Sequence, residues 1–71
     1  MMPLIIAPQN KNLKIARISA DEKTKRHLSN LGFIIGSEVV MLSEQSGNVI
    51  VKVKDSKLAL NRELASKIMV G

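Results

Sequence analysis

The 71-residue sequence predicts a mainly β domain, a small barrel of about five short strands with one inserted helix and one helical turn. Three observations support this prediction. Apolar and polar residues alternate in several short segments, turn-forming residues separate those segments, and only one long stretch carries both a helix start and a helix stop signal. Short strands joined by tight turns favour a closed barrel, because closure removes exposed edges. We expect one domain over residues 1–71 with a small core.

The start signal belongs to a helix that we predict over about residues 19–32. Ser19 and Glu22 fit a capping box, in which the Ser19 hydroxyl accepts the backbone N–H of Glu22 and the Glu22 carboxylate accepts that of Ser19. Asp21 and Glu22 also place negative charge in the first turn, where the helix dipole favours it. The sequence therefore predicts a helix that begins at Ser19.

The stop signal of the same helix is a glycine. Gly32 favours the left-handed conformation that closes a helix after Leu31, and Phe33 is then placed to pack back onto Leu28 in a Schellman motif. Gly36 permits a sharp turn before the next strand. The residues expected to have structural roles in this stretch are Ser19, Glu22, Leu28, Leu31, Gly32 and Gly36.

Alternating or β-branched residues predict strands over residues 13–18, 38–42, 49–54, 57–60 and 67–70. Turn-forming residues separate them at positions 8–12, 43–48 and 55–56. The clearest is the strand over residues 49–54, where valines occupy one face and lysines the other. In the last strand, Ile68 and Val70 are expected to face the core. A break in the alternation at Arg17 and Ile18 indicates a bulge or a bend before the helix. Asn61 is expected to cap one helical turn over about residues 61–65.

The charge of the chain is positive and unevenly distributed. The formal net charge is +5, and residues 1–36 hold six Lys or Arg and two Asp or Glu, against five and four in residues 37–71. A positive surface is therefore expected near the first strand and the helix. Such a surface suits an acidic protein, anionic lipid or nucleic acid, but the single aromatic residue argues against base stacking.

The composition excludes several classes of chemistry. There is no cysteine, which excludes disulfides, thiolate metal sites and cysteine nucleophiles and is typical of a reducing compartment. No segment approaches the ~20 apolar residues of a membrane span, and the first residues lack the pattern of a signal peptide. We therefore expect a soluble, cytoplasmic protein.

No set of residues predicts a catalytic or metal site. His27 is the only histidine, and the positions three and four residues away hold poor metal partners, namely Lys23, Thr24, Asn30 and Leu31. The carboxylates are accounted for by helix starts, turns and exposed strand positions, and no nucleotide-binding or nucleophile motif occurs. We predict no enzyme activity, no cofactor and no metal held by this chain. A metal ligand and a pH-sensitive contact are the alternatives to a partly exposed polar role for His27.

Five basic residues of the first strand and the helix are candidates for one positive patch: Lys14, Arg17, Lys23, Lys25 and Arg26. The alternative is a solvated helix surface without a binding role. In that case, the i,i+4 pairs Glu22–Arg26 and Asp21–Lys25 would partly neutralise the patch.

An apolar pair follows the helix. Ile34 and Ile35 lie between two turn glycines, where a purely structural turn tolerates polar residues. We expect one of the two to pack in the core. We expect the other to be exposed beside Phe33, as an apolar contact point rimmed by positive charge.

Two motifs of the chain resemble the FeoA domain family. Arg26 followed by Leu28-x-x-Leu31-Gly32-Phe33-x-x-Gly36 resembles the helix-and-turn signature of that family. The run LALNRELA from Leu58, followed by Ile68 and Val70, resembles its closing segment, so the similarity covers residues 4–70. Two positions depart from the family pattern. Ile35 stands where proline is frequent, and Asn10 or Asn12 where the opening turn often has glycine.

The resemblance implies an SH3-like barrel with the helix inserted between the first two core strands. It also implies a cytoplasmic accessory protein of bacterial ferrous iron uptake, which acts with the membrane transporter FeoB by protein–protein contact and has no small-molecule substrate. The membrane would be reached only through that partner, and weak self-association is compatible with exposed strand edges. The residues expected to contact the partner are Lys23, Lys25, Arg26, His27, Asn30, Phe33, Ile34 and Ile35.

Two alternative functions belong to other classes. The first is a nucleic-acid-associated barrel that uses the basic half of the chain and binds with a steep salt dependence. The second is a stand-alone relative of the C-terminal domain of metal-dependent repressors, which resembles this barrel. The scarcity of aromatic residues argues against a proline-binding groove in such a domain.

Overall fold

The computed structural model describes all 71 residues and confirms a mainly β fold. The six strands are β1 (Met2–Pro3), β2 (Asn12–Ile18), β3 (Glu38–Gln45), β4 (Asn48–Val53), β5 (Ser56–Asn61) and β6 (Ile68–Val70). A 3-10 turn (Leu4–Ile6) follows β1, helix α1 (Glu22–Asn30) lies between β2 and β3, and helix α2 (Arg62–Ser66) lies between β5 and β6. Neither helix has the length and apolar character that crossing a membrane requires.

The strands form one antiparallel sheet in the order β1-β6-β2-β3-β4-β5. The sheet is not a closed barrel, because β1 and β5 stand at its two ends and do not pair, so the expectation that closure removes the edges is wrong. The reason lies in β1, which has only two residues before the chain turns at Leu4. The 3-10 turn and α2 pack against each other instead.

The core is a single cluster of buried apolar side chains to which every strand except β1 contributes. The prediction for β4 is confirmed, since Val49, Val51 and Val53 are all buried. The last strand likewise buries Ile68 and Val70, as predicted. No polar or charged residue is buried, so the core is held by apolar packing and strand pairing alone.

The predicted bulge in β2 is also confirmed. Ile15 lies opposite Val70 of β6, but the next pair is Arg17 with Met69, so the register shifts between the two. A bulge changes which face of the sheet the following side chains occupy. Without it, Arg17 would share the core face with Ile15, because strand side chains alternate with a period of two. In the structure Arg17 is exposed.

The predicted N-cap of α1 is wrong by two residues. The N-cap is Asp21, whose Oδ1 accepts the backbone N–H of Thr24 at 2.8 Å, and no capping box forms at Ser19. The Ser19 N–H donates instead to the carbonyl of Lys67 at 2.8 Å, which continues the pairing of β2 with β6. Because that bond holds Ser19 in the sheet, the helix begins later, at Glu22.

The two candidate caps can be separated by substitution. We expect Asp21→Ala to lower the melting temperature, because the Thr24 N–H loses its acceptor at the helix start. Ser19→Ala should leave the melting temperature nearly unchanged. Thermal unfolding followed by circular dichroism measures both effects. A larger loss for Ser19→Ala than for Asp21→Ala would indicate that Ser19 is the N-cap, as the capping box requires.

The effect of the cap should depend on pH. Hydrogen bonds from the Thr24 side chain and backbone hold the pKa of Asp21 below its ordinary value. A carboxylate with a lowered pKa in the folded state stabilises the fold above its unfolded pKa, and that stabilisation is lost as pH falls through the folded pKa. The difference between the wild type and Asp21→Ala should therefore shrink when melting is measured in acid.

The end of α1 is as predicted. Gly32 has a φ of +106° and follows the C-cap Leu31. The Phe33 N–H donates to the Leu28 carbonyl at 2.9 Å and the Gly32 N–H to the Ser29 carbonyl at 3.0 Å, the two bonds of a Schellman motif. Both Leu28 and Phe33 are buried in the core.

The remaining turns lie where the sequence predicts them, but their lengths differ from the prediction. The predicted turn at 43–48 is shorter, because β3 continues to Gln45 and only Ser46 and Gly47 connect it to β4, both with positive φ. Asn10 takes the left-handed conformation in the opening turn, with a φ of 60°. Asn61 caps α2 by accepting the backbone N–H of Leu64 at 2.8 Å, as predicted.

Candidate functional site

The most distinctive surface feature is a groove of about 400 Å³ beside the end of β2, the α1 helix and the turn that follows it. Its lining is mainly apolar and has basic residues but no acidic ones. The lining residues are Arg17, Ile18, Lys25, Ser29, Phe33, Ile34 and Ile35. We call this feature the α1 groove.

The two isoleucines of the groove are both exposed. Ile34 is 44% and Ile35 65% accessible to solvent, so the expectation that one of them packs in the core is wrong. The core position is taken by Phe33, which is 0% exposed. The Schellman motif fixes the backbone so that Phe33 turns inward and the next two side chains remain outside.

The turn that carries the isoleucines is tied at its end to β2 by two backbone hydrogen bonds. The Gly36 N–H donates to the Ile15 carbonyl at 2.8 Å, and the Ile15 N–H donates to the Ser37 carbonyl at 2.9 Å. The Ser37 N–H closes the turn on the carbonyl of Ile34 at 2.9 Å. These bonds hold the isoleucines in place before any partner arrives, which lowers the entropic cost of binding.

The α1 helix presents three different surfaces around its buried residue, Leu28. With 3.6 residues per turn, Lys25 and Ser29 share the side that lines the groove. The residues on the outer surface, opposite Leu28, are Lys23, Arg26 and Asn30, and His27 lies on the remaining side.

The predicted partner-contact residues therefore do not form one continuous surface. Lys25, Phe33, Ile34 and Ile35 line the groove, with Phe33 beneath it as part of the core. The exposed helix residues Lys23, Arg26, His27 and Asn30 do not line it. Sequence reasoning missed Ile18 and Ser29, although the i,i+4 spacing of Ser29 from Lys25 could have indicated the second of these.

The positive charge at the groove is not neutralised within the chain. The pairs Glu22–Arg26 and Asp21–Lys25, which a solvated helix surface without a binding role would use, do not form. The ion pairs in the structure lie elsewhere: Arg62 with Glu44 at 2.8 Å, and Lys67 with Glu63 at 3.8 Å. Arg17 and Lys25 are thus free to bind an anionic group.

A second concave surface, of about 520 Å³, lies on the outside of β2, β3 and β4. It is polar, and Lys14 in it stands directly opposite Glu38 on the neighbouring strand. Lys52, Lys54 and Asp55 complete its charged lining. Lys14 therefore lies on a different surface from Lys25, and the five basic residues do not form one patch.

The described residues contain no cluster of three His, Cys, Asp or Glu side chains that could hold a metal ion. His27 is exposed on α1, and its imidazole has no hydrogen-bond partner. That the chain holds no metal by itself remains a prediction, to be tested by titration.

The fold and its surfaces define a small SH3-like domain, as the sequence predicted. Residues 2–71 match the model of the FeoA domain, and the chain belongs to the FeoA family, which comprises small accessory proteins of ferrous iron transport. A protein of Methanocaldococcus jannaschii, described as an Fe(2+) transport protein A, is 36% identical over 70 residues, which cover 99% of this chain and 85% of that protein.

Solved structures support the assignment of the fold. FeoA of Stenotrophomonas maltophilia, crystallised with zinc and described as a procaryotic SH3 domain protein, superposes with a TM-score of 0.84 at 25% identity, over 100% of this chain and 91% of that one. A manganese-dependent transcriptional repressor superposes with a TM-score of 0.82 at 23% identity, over 93% of this chain and 38% of the repressor. The second likeness is one of fold alone.

Proposed function

We propose that this domain is a cytoplasmic accessory protein of ferrous iron uptake that binds the cytoplasmic part of a FeoB-type transporter and supports or regulates it. Membership of the FeoA family supports the role in ferrous iron transport. The observation that carries the binding role is the α1 groove, an apolar surface with exposed isoleucines and unpaired cations at its edge.

The residues that line the groove favour protein binding over catalysis. Exposed apolar side chains surrounded by polar residues mark contact sites, because their burial against a partner is favourable. Catalysis requires convergent acid, base or nucleophilic groups, but the groove has no histidine, carboxylate or thiol, and its Ser29 hydroxyl forms no hydrogen bond with Lys25. We therefore expect no enzyme activity, and neither a cofactor nor a small-molecule substrate.

The outer surface of α1 would contribute to binding through its positive charge, without contact between its side chains and the groove. Lys23 and Arg26 are exposed and form no ion pair, so they raise the positive potential around the site. Charges at the rim of an interface mainly increase the association rate with an oppositely charged partner. On this account the groove supplies most of the affinity and the helix supplies steering.

The test is calorimetric titration of the purified domain. One arm uses the soluble cytoplasmic domain of the FeoB-type transporter from the same genome, and the other uses Fe²⁺ under anaerobic conditions. We expect saturable binding to the protein and none to Fe²⁺ at comparable concentrations. Tight binding of Fe²⁺ without the partner would contradict the adaptor role. So would the absence of binding to both the soluble domain and the full-length transporter in detergent.

Nucleic acid is the second candidate, favoured by the net charge of +5. The only aromatic side chain, Phe33, is fully buried, so no stacking platform is available on the surface. We expect no binding to single- or double-stranded DNA in a polarisation assay at low salt. Binding to DNA with an affinity that falls steeply as the salt concentration rises would support the nucleic-acid function.

A further inference from the structure

The α1 groove combines two kinds of lining that point to a particular ligand chemistry. Its apolar lining is side-chain carbon from Ile18, Phe33, Ile34 and Ile35. Its polar lining is two cations and one hydroxyl, from Arg17, Lys25 and Ser29. A ligand that is only apolar would leave the cations without a partner, and one that is only anionic would leave the isoleucines exposed.

Both cations are brought to the groove by local structure. The β2 bulge turns Arg17 away from the core face, opposite Met69. Lys25 lies on the groove side of α1, one turn before Ser29. Neither forms an ion pair, and the carboxylate of Asp21, at the start of the same helix, accepts the Thr24 N–H instead.

We propose that the groove selects a segment that presents an aliphatic side chain next to a carboxylate. The aliphatic side chain packs against Ile34 and Ile35, and the carboxylate lies between Arg17 and Lys25. The carboxylate belongs to an acidic side chain next to the aliphatic residue, and the C-terminus of a chain, which could place the same group near the same anchor, is the alternative that the probes distinguish. This inference rests on the proposed function only in taking the segment to belong to the transporter.

The volume of the groove supports a small anchor. At about 400 Å³ it lies at the low end of the range for ligand pockets, which fits a short peptide segment with one inserted side chain. An aliphatic anchor is favoured over tyrosine or tryptophan, because the lining offers little to accept their hydrogen bonds. Arginine at the rim is suited to a carboxylate, which it can bind through two parallel hydrogen bonds.

Small probes test this chemistry without the transporter. The ¹⁵N-labelled domain is titrated with N-acetyl-leucine, which has a terminal carboxylate, and with N-acetyl-Leu-Asp-amide, which has a side-chain carboxylate. The neutral controls are N-acetyl-leucine amide and N-acetyl-Leu-Asn-amide, and N-acetylglycine lacks the anchor. We expect millimolar binding of N-acetyl-Leu-Asp-amide, with amide shifts at Lys25, Ser29, Ile34 and Ile35, and preferential binding of N-acetyl-leucine would overturn the assignment to an acidic side chain. Each neutral control should bind about two- to thirtyfold more weakly than its acidic counterpart, as the loss of two exposed ion pairs predicts.

A matched pair of variants tests the two cations. Arg17→Gln with Lys25→Gln should remove the preference for the acidic probes. Lys23→Gln with Arg26→Gln changes the net charge equally on the outer surface of α1 and should retain that preference. Equal affinity for acidic and neutral probes, equal loss in both variants, shifts centred on Lys14 and Lys52, or no shift with any probe would overturn the proposal.

The two proposals can fail separately. Probe binding at the groove without binding of the transporter would refute the proposed function and keep the ligand chemistry. Transporter binding with no preference for acidic leucine probes would keep the function and refute the ligand chemistry.

Discussion

Replacing Phe33 by alanine is expected to destabilise the domain by about 3–5 kcal/mol, the usual cost of truncating a buried phenylalanine. Phe33 is the only aromatic residue, is 0% exposed and is the largest fully buried side chain. A domain of 71 residues has a total stability of about 4–11 kcal/mol at the usual values per residue. The variant should therefore lose a large part of the stability of the wild-type domain.

Urea unfolding followed by circular dichroism measures this effect. The matched control is Ile35→Ala, two residues further along the same turn, where the side chain is 65% exposed. Its free energy of unfolding should change by less than about 0.5 kcal/mol. Similar losses of stability in the two variants would contradict the structure, in which Phe33 is buried and Ile35 is exposed.

The second large effect concerns binding. Replacing Ile34 and Ile35 together by serine should weaken binding to the cytoplasmic part of the transporter by about 100-fold or more, because buried apolar anchors carry most of the energy of an interface. Both side chains are exposed in the free domain, and the bonds that fix their turn are made by the backbone. The stability of the variant should therefore remain close to that of the wild type.

The control for this experiment is Lys23→Gln with Arg26→Gln, on the outer surface of α1. Because these residues do not line the groove, we expect only a few-fold loss of affinity, mostly in the association rate. A large loss in this control with little loss in the isoleucine variant would place the interface on the helix and not in the groove.

The two ends of α1 show why some local structure follows from sequence and some does not. The stop depends on Gly32, since few other residues adopt its left-handed conformation at low cost, so the signal has one interpretation. The start offers two good caps, Ser19 and Asp21, two residues apart. The choice is made by the bond from Ser19 to Lys67, a residue distant in sequence, and no local pattern contains that information.

The same distinction applies to the sheet. Alternation of apolar and polar residues predicted the buried faces of β4 and β6, because the period of a strand is local. Whether the first and last strands of a sheet meet depends on three-dimensional curvature and on the short extent of β1. The open edge was therefore not predictable from the pattern.

The groove was predicted in part. Two adjacent isoleucines in a turn indicated a contact point, but which residue of Phe33, Ile34 and Ile35 fills the core depends on backbone angles that only the structure gives. The separation of the basic residues onto different surfaces was easier to predict from the sequence. Helical spacing around Leu28 separates Lys25 from Arg26, and the bulge in β2 indicated that Arg17 leaves the core face.

The central claim is that the α1 groove is the surface that the transporter binds. The most direct measurement is the map of amide shifts and line broadening in the ¹⁵N-labelled domain when the unlabelled cytoplasmic domain of the transporter is added. We predict that the strongest changes fall on Lys25, Ser29, Ile34 and Ile35. Changes centred on the concave surface of Lys14 and Lys52, with the groove unaffected, would contradict the account.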